Sequence, residues 1–240
     1  MLYIFCDEDS QPVGTDWHYS FSAVTFYQER FNNSGLRSIK NLRQGGKSLL
    51  PQIERALMDN EGIALISHAV IQARFLLPGA KIKIVDIGEV ARKDFIWSIC
   101  MVFTIAKLGL RLLERSWAFR TIDVFYDSKS LVQQHRNTIE QYIQNNLTQR
   151  LNRSAAMHDK NLGGKIKVRR IKAVEKPQPG SPPDKFQLGV WLADRIVRNY
   201  KKGTAKKAGG SIITVDFTND VNEDLIECLS CECNFTNNKR

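Results

Sequence analysis

Two β-prone runs, Leu2–Cys6 and Trp17–Tyr27, are joined by a short polar stretch in which Ser10–Asp16, with Pro12 and Gly14, reads as a turn. Strands joined by so short a loop are expected to be antiparallel neighbours. That expectation constrains the fold more than any other feature, because a sheet that opens with a hairpin is not a wholly parallel one. Further along, β-like and helix-like patterns alternate. Strands are expected at Ile63–Val70, Lys81–Ile87, Thr121–Tyr126, Lys165–Val174 and Ser211–Phe217. Helices are expected at Ser48–Met58 with Ser48 as N-cap, at Glu89–Arg115, at Lys129–Leu151, at Phe186–Tyr200 and, briefly, at Asn222–Cys228. Glu89–Arg115 is apolar on most faces and reads as a central buried helix. The helix after Thr121–Tyr126 places Val132, Ile139, Ile143, Leu147 and Leu151 at apolar positions. The order predicts one mixed α/β domain over residues 1–240, with 201–240 a basic loop followed by a small strand and helix.

Composition sets the class. Apolar residues make up 42% and charged residues 25%, which suits a globular domain and excludes a low-complexity chain. The apolar-rich stretch Phe95–Ala106 is shorter than the about 20 residues of a membrane span, and the N-terminus turns acidic at once instead of carrying a basic leader. Five scattered cysteines suit a reducing compartment, so a cytoplasmic protein without membrane contact is expected. The net charge is +10. Residues 160–210 hold fourteen Lys or Arg against Glu175, Asp184 and Asp194, while the first 28 residues hold no Lys or Arg at all. Lys165–Val174 alternates apolar residues with lysine and arginine, with a register change near Arg170. Such a segment is expected either to grip a nucleic-acid backbone or to be a solvated basic face. The candidates for backbone contact are Lys165, Lys167, Arg169, Arg170, Lys172, Arg198, Lys201 and Lys202.

Acids sit where chemistry would use them. Asp7 and Glu8 follow the first apolar run, Asp127 ends the Thr121–Tyr126 run, and Asp194 lies inside an apolar helix. A buried acid needs a partner, and carboxylates that cluster relieve their repulsion by binding divalent cations. Two Mg²⁺ ions about 4 Å apart, held by carboxylates, are a recurrent device for cutting phosphodiesters. Each acid also has a purely structural reading: Asp127 as a helix N-cap, Asp194 paired with Arg198 one turn on, and Asp7 and Glu8 ending a strand.

The segments YIFCDEDS, IDVFYDS and VWLADRIVRNY resemble, in that order, the first strand with its acidic motif, the central strand with its terminal Asp, and the late helix of the DUF3800 family. The resemblance implies an RNase H-like mixed sheet with antiparallel opening strands and flanking helices. It implies a nuclease dependent on Mg²⁺ or Mn²⁺, acting on DNA or RNA. It implies Asp7, Asp127 and Asp194 as metal ligands, with Glu8 as a further catalytic acid, and a fourth acid on the central helix for which Glu89 and Asp94 are candidates. The chain departs from the family pattern at Asp9 and Ser10, where Ser and Gly are usual, and at Trp191, where Gln is usual; Gln187 lies two turns before Asp194.

Other motifs support less. GGKS at residues 45–48 lacks the earlier glycine of a phosphate-binding loop. Asp7-Glu8-Asp9, with Asp216 and Asp220 in TVDFTND, resembles a haloacid dehalogenase-like phosphatase, a reading that needs a parallel sheet from the first strand onward. Cys228, Cys231 and Cys233 supply three thiols for zinc with no evident fourth ligand. A non-catalytic module that binds nucleic acid or protein is the remaining alternative.

Overall fold

The computed structural model describes residues 1–33, 50–72, 75, 81–84, 88–158, 164–199 and 211–223. The opening hairpin is present and longer than expected. Strand β1 runs Leu2–Val13 and β2 runs Asp16–Tyr27, paired antiparallel along their whole length from Leu2↔Tyr27 to Val13↔Asp16. The turn shrinks to Gly14 and Thr15, with Gly14 at φ +63°, a conformation a side chain would resist. Ser10–Val13 is thus strand, not loop. Pro12 is tolerated there because β1 has a second neighbour only as far as Cys6, so no ladder bond is lost on that side.

Strands β3 (Ile63–Ile71), β6 (Thr121–Asp127), β7 (Lys167–Val174) and β8 (Ile212–Asp216) complete a six-stranded mixed sheet in the order β7-β6-β1-β2-β3-β8. Strands β1 and β3 each pair antiparallel with β2, which lies between them; β6 lies parallel to β1, β7 parallel to β6, and β8 parallel to β3. The expected strand at 81–87 belongs instead to a separate ribbon, β4 (Lys81–Ile84) with β5 (Gly88–Ala91); residues 85–87 lie outside the described residues.

Helices cover both faces. The helices are α1 (Gln28–Asn33), α2 (Leu50–Asp59), α3 (Arg92–Glu114), α4 (Arg136–His158) and α5 (Lys185–Asn199). On one face the β1 residues Leu2, Ile4 and Cys6 pack with α3 and α4 in a large apolar cluster. On the other face Tyr3 and Phe5 join Phe26, Phe31 and Phe125 beneath α5 and α2. Period-2 alternation along β1 and β6 feeds both clusters. Among the described residues α3 is long and apolar enough to cross a membrane by length and composition, and most of it is buried inside this domain.

Two helix starts differ from expectation. Helix α3 begins at Arg92, because Glu89–Ala91 pair with Lys81–Lys83 in the ribbon. Helix α4 begins at Arg136 rather than near Lys129, because the side chains of Ser128 and Ser130 are held by Glu175 and Glu8, and the chain turns through a short 3-10 segment, Gln133–His135, first. Ile139, Ile143, Leu147 and Leu151 form the expected buried stripe of α4. Residues 218–223 are helical, which overlaps the expected short final helix; the rest of that expectation, and those for Ser48, 201–210 and Cys228, Cys231 and Cys233, fall outside the described residues.

Candidate functional site

The site forms where β6 and β7 stop and the β1–β2 hairpin continues past them. The last parallel pair of β1 and β6 is Cys6↔Tyr126, so Asp7 and Asp127 occupy the next matching positions on adjacent strands. Asp7 pairs on its other side with Ser22 of β2. Alternation sends Asp7 toward the α5 face and Glu8 toward α3. The two neighbouring acids therefore reach the cleft from opposite faces of the sheet, in mid-strand rather than at a strand end.

Helix α5 brings the third acid. A reciprocal cap starts it: the Gln187 N–H donates to Asp184 Oδ1 and the Asp184 N–H donates to Gln187 Oε1, both at 2.8 Å. Gln187 Nε2 also donates to the carbonyl of Glu175 at 2.8 Å, tying the helix start to the end of β7. Gly189 lets the helix lie directly on β1, since a Cβ there would sit 2.4 Å from the Phe5 ring. Ser22 Oγ then donates to the carbonyl of Ala193 at 2.8 Å and fixes the turn that carries Asp194 above Asp7. Gly189→Ala overpacks this contact, and we expect it to cost about 1–3 kcal/mol and to raise the helix off Phe5; an unchanged denaturation midpoint would show the contact to be slack.

Asp7, Glu8, Asp127 and Asp194 all line one cleft of about 830 Å³. Burial pushes the Asp7 carboxyl up to about 9; Glu8, Asp194 and Asp127 add repulsion, and the hydrogen bond from the Glu8 N–H offsets it only in part. Glu8 is also raised by burial, against two hydrogen bonds to its Oε2, from Trp97 Nε1 at 2.8 Å and Ser130 Oγ at 2.9 Å. Asp127 Oδ1 accepts the Lys129 N–H at 3.0 Å, which makes it the anchor of a turn and not the cap of α4. Asp194 pairs with Arg198 one turn on, and Arg195 stands 4.0 Å away.

The rim is basic. Lys129, Lys176, Arg195 and Arg198 line the cleft beside the acids. Lys129 contacts Lys176, and this like charge holds it below the usual lysine range. Glu175, which lines the rim and binds Ser128 and Arg136, is an acid that no sequence motif marks. Neither candidate for a fourth acid reaches the cleft. Glu89 pairs with Lys81 in the ribbon at 2.8 Å, and Asp94 is buried against His135 at 3.1 Å. Trp97, Ser130 and Ser22 are likewise unmarked in the sequence: none sits in a motif, and only packing shows what each holds.

The basic face of β7 divides into two. The ladder slips between Ile122↔Val168 and Asp123↔Arg170, the expected register change, so Arg169 is the extra residue. Arg169 and Arg170 both close on Asp123, which is fully buried; Arg169 Nε donates to Oδ1 at 2.8 Å and Arg170 Nε to Oδ2 at 2.9 Å. Lys165, Lys167 and Lys172 are exposed. Lys201 and Lys202 lie outside the described residues. Replacing both Arg169 and Arg170 with alanine leaves the Asp123 carboxyl buried without its two guanidinium partners, and we expect the melting temperature to fall by roughly 10 °C. A change smaller than about 3 °C would mean that water reaches Asp123.

Among the described residues no group of three or more His, Cys, Asp or Glu is close-set enough to hold a metal ion as arranged. The donor chemistry does suit a hard divalent cation: four carboxylates line the cleft, and Asp7 is pushed toward its protonated form by burial first and then by the negative charge of Glu8, Asp194 and Asp127. No known protein-family model matches the chain, and no curated protein matches it.

Proposed function

We propose that this protein is an RNase H-like nuclease that hydrolyses phosphodiester bonds of DNA or RNA with Mg²⁺ or Mn²⁺, working in the cytoplasm. The observation that carries the reading is the single cleft in which Asp7, Glu8, Asp127 and Asp194 meet a rim of Lys129, Lys176, Arg195 and Arg198. Acids beside cations suit a bound phosphodiester with its counter-cations: the carboxylates hold the metal and the basic rim holds the flanking phosphates. Asp7, Asp127 and Asp194 would be the metal ligands. A bound divalent cation supplies an activated water and neutralises charge on the leaving oxygen. Glu8, oriented by Trp97 and Ser130, is placed to hold a proton at Oε1 for that water or for the leaving group. Arg198, paired with Asp194, would be placed to meet phosphate were a cation to be held by that carboxylate.

The β1–β2 and β1–β6 pairing also separates this reading from the phosphatase one. Strand β1 has one antiparallel neighbour, and Asp216 lies on β8, separated from β1 by β2 and β3, where its Oδ1 accepts from Thr218. A second reading, a module that binds nucleic acid without cutting it, is favoured by the Asp194–Arg198 pair, which occupies one of the required ligands.

The test is cleavage of end-labelled DNA and RNA strands with Mn²⁺, with Mg²⁺ and with chelator. Cation-dependent products support the nuclease. Binding without products under all three conditions would leave the binding module. Charge-removing changes at Lys167 and Lys172, which do not touch Asp123, should weaken binding and shallow its dependence on log salt by about one unit per lost phosphate contact. An unchanged slope would make β7 a solvated face.

A further inference from the structure

We propose that Trp191 is a stacking platform for an unpaired nucleobase, so that the cleft takes single-stranded nucleic acid with the phosphodiester beside that base lying against Asp7. The proposal rests on the nucleic-acid reading above and narrows it.

Trp191 stands one turn before Asp194 on α5, so both side chains lie on the same helix face. It lines the cleft and is half-buried, packed in part against the apolar cluster under α5. The Arg195 guanidinium lies 5.5 Å from the ring centroid, which holds the indole and adds positive charge where a sugar-phosphate would pass. Pro177 and Pro183, also in the cleft wall, add flat apolar surface. The cleft volume of about 830 Å³ is of the size that encloses a small organic molecule, ample for a base with its sugar and phosphate.

Trp191 presents part of its ring in the cleft wall that the acids also line. Base stacking on an aromatic ring is sequence-tolerant, because every base has a π-face. In a duplex those faces are covered by neighbouring bases, so the platform works only on an unpaired base.

The test uses the full chain, with Ca²⁺ in place of Mg²⁺, and fluorescence anisotropy with three labelled probes: an oligothymidylate, an abasic oligomer of the same length, and a duplex of that length. The wild-type protein should bind the oligothymidylate roughly tenfold tighter than the abasic strand. Trp191→Leu should lose that preference and bind both single strands equally, while Trp191→Phe should keep most of it. Equal wild-type affinity for the base-bearing and abasic strands overturns the proposal and leaves the nucleic-acid reading standing. Tighter binding of the duplex than of the oligothymidylate, or an undiminished preference in Trp191→Leu, also overturns it. Failure of all three probes to bind overturns both together.

Discussion

Asp7→Asn is expected to abolish cation-dependent cleavage and at the same time to make the protein more stable at neutral and alkaline pH. In the native state Asp7 keeps its proton up to about 9, whereas an unfolded chain releases it near the ordinary value of about 3.9. Between those values the native state binds the extra proton, so stability falls as pH rises across the window. Asparagine does not titrate, and its carbonyl oxygen can still accept the Glu8 N–H that Asp7 Oδ1 accepts at 2.9 Å. Below about pH 4 the variant and the parent should therefore melt together. From there to about pH 9 the variant should gain progressively, reaching a margin of roughly 5 °C or more at about pH 8. Mn²⁺ should raise the melting temperature of the parent at that pH, because a cation answers the surplus of negative charge, and should raise that of Asp7→Asn much less. Melting curves across pH, with and without Mn²⁺, check all of this. A variant that melts at or below the parent at about pH 8 would mean that Asp7 is neither desolvated nor crowded by Glu8, Asp194 and Asp127 as described, and the site as proposed would fail.

Asp127→Asn and Asp194→Asn should each lower cleavage by roughly a hundredfold or more, an effect of the size seen when charge stabilisation is removed from a transition state. Their structural roles are small by comparison. In Asp127→Asn the new side-chain carbonyl can still accept the Lys129 N–H that holds the turn. The Asp194–Arg198 pair is an i,i+4 contact with a mostly exposed arginine, worth about 0.5 kcal/mol. Folding should thus be nearly unchanged while activity collapses. Parallel measurement of Mn²⁺-dependent cleavage and of thermal unfolding reads the two apart. Variants that cut as well as the parent would exclude these carboxylates as metal ligands. Variants that lose activity only in proportion to lost stability would make Asp127 and Asp194 structural.

Much of the framework was written locally. The β1–β2 hairpin was legible from two β-prone runs with a Gly turn between them. The bulge at Arg169 was legible as a break in the alternation of β7. The stripe Ile139, Ile143, Leu147 and Leu151 was legible from its i,i+4 spacing. Each is a periodicity or a turn preference confined to a few neighbouring residues, which is the range over which backbone geometry dictates side-chain direction.

The site required more than that range. That Asp7 and Glu8 diverge to opposite faces follows from alternation, but which face receives α5 and which α3 depends on the packing of Phe5 against Gly189 and of Cys6 with the α3 cluster. Ser10–Val13 became strand because β2 continued to pair with it after β6 had ended. Arg169 and Arg170, two basic residues like any other in sequence, are drawn together by Asp123, whose full burial leaves its charge nothing else to meet. Asp94 was turned away from the cleft by His135, and Glu89 by a ribbon partner. Sequence by itself determined the strands, the helix stripes and the identity of the acids, because those depend on local geometry and side-chain chemistry. Only the tertiary structure decided which charges converge and which cancel, because a carboxylate's surroundings are set by segments far away along the chain, as the bond from Ser22 to Ala193, 171 residues on, shows.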